Sequence, residues 1–182
     1  MTLRLKRRGL ELPLSAGPGT GVFSGYASLF NARDATGDIV LPGAFRDSLL
    51  RRPAEDIRML FQHDPAEPVG NWVEVRETER GLYVLGRLNR NVQRGRELLA
   101  LLETGGIDGL SIGFKTVSAR KDKASGARLL TKIDLWEISL VTFPMLEGAR
   151  VSAVKSDNRA RADSLFMKTP AQPQKRSSSI HG

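Results

Sequence analysis

Residues 68–77 (PVGNWVEVRE) and 81–88 (GLYVLGRL) alternate apolar and polar side chains and are joined by Thr78-Glu79-Arg80-Gly81. A period of two puts every second side chain on one face, so the stretch reads as a β-hairpin with one face in a core. Such a hairpin must find further strands to cover its apolar face. The chain offers them at residues 20–30, 57–62, 108–117 and 128–142, all rich in aromatic and β-branched residues. Two helices interrupt the pattern. The first is predicted over 42–51, opening on Pro42, carrying Phe45 and Leu49 on one face and stopping before Pro53. The second is predicted over 92–104, with Asn91 as N-cap, an apolar stripe of Val92, Leu98, Leu99, Leu101 and Leu102, and a stop at Gly105-Gly106. With no internal repeat and no strand–helix–strand alternation, the expected fold is mainly β with helices (α+β). A closed or nearly closed barrel of about six or seven strands flanked by helices fits best.

Charge divides the chain. Across 182 residues, 28 Lys and Arg face 20 Asp and Glu, a net +8. Residues 1–10 hold Arg4, Lys6, Arg7 and Arg8 and no acid, a net +4. Residues 155–182 hold six basic and two acidic residues, again +4, which leaves 18 of each in residues 11–154. We therefore expect a basic N-terminal arm or first strand (1–10), one domain (11–154) and a basic, disordered tail (155–182) whose one apolar island is Leu165-Phe166-Met167. A domain that tracks phosphates carries its charge on its own surface, so specific nucleic-acid binding is not expected.

The absence of cysteine excludes disulfides, iron–sulfur clusters, thiolate zinc and a cysteine nucleophile. No apolar run reaches the roughly 18 residues of a membrane span, and MTLRLKRRGL lacks a secretory core, so a soluble, intracellular-type protein without membrane contact is expected. Gly17-Pro18-Gly19-Thr20-Gly21 lacks both the Lys-Ser/Thr of a phosphate loop and dinucleotide spacing, and reads as a turn. Asp34, Asp38 and Asp64 lack a calcium-loop register, and His63 and His181 are the only histidines. Neither cofactor nor metal is expected.

Three residues carry possible chemistry. Gly109-Leu110-Ser111-Ile112-Gly113 matches G-x-S-x-G, but an α/β-hydrolase elbow needs a parallel sheet and a later histidine, and only His181 follows. Ser111 shares a strand face with Gly109 and Gly113, which suits a nucleophile approached by a peptide and equally a serine packed inside a barrel. His63 follows the apolar run 57–62, where a strand emerges, and reads as a titratable group or as a structural histidine. Glu137 lies in the apolar run Leu135-Trp136-Glu137-Ile138-Ser139-Leu140-Val141. Strict alternation puts it on the face of Leu135, Ser139 and Val141, where its carboxylate needs a partner, and sends Asp134 elsewhere.

Taken in order, Gly25-Tyr26-Ala27-Ser28-Leu29-Phe30, Gly37-Asp38-Ile39-Val40, Pro42-Gly43-Ala44-Phe45, Phe61-Gln62-His63-Asp64, Leu110-Ser111-Ile112-Gly113-Phe114 and Trp136 through Pro144 resemble the prohead (capsid maturation) serine proteases of tailed bacteriophages. These are related to the herpesvirus assemblins. The resemblance spans about residues 22–151 and implies a herpesvirus-protease-like barrel. It implies a nucleophile at Ser111, a general base at His63 and an acidic third member at Glu137, where the assemblins use a second histidine. Gly113 and Arg150 are weaker candidates for oxyanion or substrate contacts. The implied activity is serine endopeptidase cleavage of scaffold or capsid-protein segments, and of the enzyme itself, inside the assembling procapsid in the host bacterial cytoplasm. Homo-oligomerisation is implied by the assemblins. The competing reading is a non-catalytic scaffold-binding assembly protein on the same fold.

Overall fold

The computed structural model describes residues 21–155. The basic arm at 1–10, most of the glycine-rich turn, the Leu165-Phe166-Met167 island and His181 lie outside them.

Eight strands and two helices follow in the order β1 (Val22–Leu29), β2 (Asp38–Val40), α1 (Arg46–Arg51), β3 (Arg58–Phe61), β4 (Asp64–Glu77), β5 (Gly81–Leu88), α2 (Gln93–Thr104), β6 (Gly109–Lys121), β7 (Arg128–Val141) and β8 (Val151–Lys155). The hairpin read from alternation is β4–β5, paired antiparallel from Gly70↔Leu88 to Glu77↔Leu82. β2 and β8 were not anticipated: each has five residues or fewer, too short for a period to register. β8 runs to Lys155, one residue past the expected domain limit.

One sheet contains all eight strands of the described residues, in the order β2-β7-β3-β4-β5-β1-β8 with β6 on β7. It is open, which corrects the closed-barrel alternative. β8 forms its ladder with β1, and where the chain enters β8 it touches the start of β6 through the isolated Gly109–Arg150 bridge, with Leu110 N–H donating to the Ala149 carbonyl and Val151 N–H to the Asp108 carbonyl. The core inside the curve includes Phe23, Phe45, Met59, Val69, Leu98, Leu110, Ile133, Leu135, Ile138 and Leu140. Each such side chain contributes about 1.5–3 kcal/mol by leaving water.

Both helices begin later than expected. Gly43 adopts φ +87°, so 42–45 form a turn and regular helix starts at Arg46. Val92 rather than Asn91 is the N-cap residue of α2, with no side-chain bond. The apolar stripe is narrower too: Leu98, Leu99 and Leu102 are buried, whereas Val92 and Leu101 remain exposed.

Candidate active site

β7 is the axis of the site. β6 pairs antiparallel along its whole length, and β3 runs parallel to its last turn, with Arg58↔Glu137 and Leu60↔Ser139 in register. Strands β3, β7 and β6 therefore lie side by side, with Glu137 on β7, Ser111 on β6 and His63 in the turn that follows β3.

His63 sits just past the end of β3. Phe61 pairs with Asp64, and the two residues between them, Gln62 and His63, have φ of 54° and 61°. That is a two-residue hairpin turn with both central residues left-handed, a geometry usually reserved for Asn-Gly. Non-glycine residues cost roughly 1–2 kcal/mol each there. The turn is tied to β7 in compensation: Gln62 N–H donates to the Leu140 carbonyl at 3.0 Å, and His63 N–H donates to Ser139 Oγ at 3.2 Å. Gln62 Nε2 reaches Thr142 Oγ1 at 2.7 Å.

The imidazole meets Glu137, with Nδ1 and Oε1 2.6 Å apart. Ser139, fully buried, donates its hydroxyl to Glu137 Oε2 at 2.7 Å. The hydrogen bond between His63 and Glu137 raises the His63 pKa above its usual 6.5, partial burial opposes the rise, and the carboxylate's charge reinforces it. The carboxylate thus stabilises the imidazolium and directs an N–H at Nδ1 toward itself. That leaves Nε2 to accept a proton, and no hydrogen bond occupies it among the described residues.

A break in alternation brings Glu137 here. Ile133 and Leu135 face the core, and so do Ile138 and Leu140, so the parity of β7 switches between them. The ladder shows where: Gly113 pairs with Glu137 but Phe114 with Leu135, leaving Trp136 as an extra, half-exposed residue. Glu137 therefore shares its face with Ser139 but not with Leu135, correcting the alternation drawn from sequence. Asp134 does point elsewhere, toward Arg52.

Ser111 on β6 is opposite Ser139, so its side chain shares the face that carries Glu137. It is 5% exposed and forms part of the wall of a cavity of about 260 Å³ between β1 and β6. Leu29, Val40, Ile112, Phe114 and Met145 supply apolar lining. No hydrogen bond joins Ser111 to His63 among the described residues.

Gly113 has a steric role. A Cβ placed on it would lie 2.0 Å from Glu137 Oε1, so the carboxylate rests in the space a side chain would fill. Arg150 donates to the Asp108 carboxylate and to the Glu147 carbonyl, bracing the 142–150 loop against the start of β6. The part Ser139 plays does not follow from alternation alone; its sequence signal is a small polar residue two positions from an acid in an apolar strand. Among the described residues, no group of three or more His, Asp or Glu could hold a metal ion, and no helix is long and apolar enough to cross a membrane.

A carboxylate-backed imidazole on one side of β7 and a buried serine on the strand along its other side are residue types that a hydrolase with an activated hydroxyl uses. The model of the Caudovirus prohead serine proteases matches residues 9–163, and the chain belongs to that family. The prohead protease of Enterobacteria phage HK97 is 40% identical over 138 residues, covering 75% of this chain and 61% of that protein. The prohead protease of Escherichia phage T5 is 27% identical over 135 residues, covering 74% and 63%. The chain thus spans a little over three fifths of the length of these relatives. Among solved structures, the bacteriophage T4 capsid assembly protease has the same fold, with a TM-score of 0.53 at 15% identity over 66% of this chain and 80% of that one.

Proposed function

We propose that the chain is a serine endopeptidase that cleaves scaffold or capsid-protein segments, and itself, during procapsid maturation within the host bacterial cytoplasm. Ser111 is the nucleophile, His63 the general base and Glu137 the residue that orients and stabilises the imidazole. The carrying observation is the 2.6 Å His63–Glu137 contact next to Ser111 on the adjoining strand, in a chain of this family.

The chemistry follows from these positions. His63 Nε2 takes the hydroxyl proton as Ser111 Oγ attacks the scissile carbonyl, and returns it to the leaving amine. Water then releases the acyl group by the same route. The largely apolar lining of the cavity beside Ser111 supports its taking a substrate side chain.

The test is co-expression with the major capsid protein and scaffold, together with labelling by a serine-directed fluorophosphonate. Wild type is expected to shorten its substrate and to label, and Ser111→Ala to lower processing by about a million-fold and abolish labelling. Continued processing by Ser111→Ala would overturn the assignment.

A further inference from the structure

The edge of β7 opposite β6 is covered by several elements in turn. β2 pairs with residues 128–130, the Ala44 carbonyl accepts from Ile133 N–H at 3.0 Å, and β3 pairs with 137–140. Leu135 falls in the gap between these elements, one residue before the extra Trp136. Its N–H donates to Ser48 Oγ at 2.8 Å, and its carbonyl accepts from the Arg52 guanidinium. The same nitrogen of Arg52 donates to Asp134 Oδ1 at 2.9 Å, while Trp136 Nε1 donates to Asp134 Oδ2 at 2.7 Å. Both backbone groups of a fully buried residue are thus satisfied by side chains of α1 and its C-cap rather than by a strand.

This matters because of what the extra residue does. Continuing the alternation of Ile133 and Leu135 would turn the next odd residue, Glu137, into the apolar core and expose Ile138 and Leu140. The inserted residue reverses that, and Leu135 beside it has its backbone groups satisfied by Ser48 and Arg52. We infer that Ser48 and Arg52 are positioning residues, clamping the bulge in β7 that turns Glu137 out of the core and onto His63. They touch neither the imidazole nor Ser111 and act through Leu135 and Asp134. The inference rests on the proposed roles of Ser111, His63 and Glu137.

The full chain carrying Arg52→Met or Ser48→Ala is titrated by NMR of its two histidines, with His181 as internal reference. Glu137 is the charged group that acts on the imidazole, and Asp64 follows His63 in the chain. Loosening the clamp is expected to move His63's titration toward its ordinary value and to slow fluorophosphonate labelling by about 100-fold, the cost of an ångström-scale misplacement. A folded variant whose His63 titrates and labels as wild type overturns the inference. Failure of both variants to fold also overturns it, assigning the clamp to stability alone. If titration shifts but wild type neither labels nor processes capsid protein, the protease reading fails and the clamp stands.

Discussion

Glu137→Gln keeps the shape of the side chain and removes its charge, and the surrounding hydrogen bonds dictate which way the new amide turns. Ser139 Oγ accepts from His63 N–H, so its own hydrogen is committed to Glu137 Oε2. A glutamine at 137 therefore places its amide oxygen toward Ser139 and its NH2 toward His63 Nδ1. An NH2 there can be met only by an unprotonated Nδ1, so the imidazole's hydrogen moves to Nε2, the nitrogen needed to accept the serine proton. The variant holds the wrong tautomer, and wrong-tautomer substitutions in serine hydrolases cost about 10⁴-fold in kcat, or about 5 kcal/mol. Loss of the charge also lowers the His63 pKa, so the acid limb of the rate profile moves to lower pH while the plateau falls. The assay is the second-order rate of fluorophosphonate labelling from pH 5 to 9, which needs no knowledge of the cleavage sequence. The decisive variant is Glu137→Gln with Ser139→Ala: removing the hydroxyl frees the amide to turn over, and labelling is expected to recover at least about tenfold, the scale of one restored hydrogen bond. A double variant no faster than Glu137→Gln alone would refute the tautomer argument.

Two further outcomes follow from the same geometry. Gly113→Ala pushes a methyl group to within 2.0 Å of Glu137 Oε1, so the carboxylate must leave His63; labelling is expected to slow by about 100-fold, and wild-type rates would dismiss the steric role. Because the His63 pKa is raised in the folded state, the His63–Glu137 contact adds stability that is fully present below about pH 6.5 and fades as pH rises through the folded value. The melting-temperature advantage of wild type over His63→Gln is therefore expected to be larger at pH 5.5 than at 8.5, and a gap independent of pH would contradict the linkage.

Much of this molecule is legible from alternation, and its errors share one cause. The β4–β5 hairpin, β6 and the approximate limits of β7 all follow from patterns several residues long. Features decided by a single residue do not. Gly43's positive φ delays α1, and the left-handed pair Gln62-His63 gives His63 a turn that no local preference would select. At Trp136 a strict reading put Glu137 on Leu135's face, whereas one extra residue separates them. That insertion leaves no mark in the run Leu135 through Val141, because its stabilising partners, Ser48 and Arg52, lie more than eighty positions earlier. Glu137 nonetheless stands out in the sequence, because a carboxylate in so apolar a strand requires a partner whichever way it points, and His63 is that partner. The residue's need for chemistry was local, but its orientation was a tertiary property, set where α1 fills the gap between two short strands.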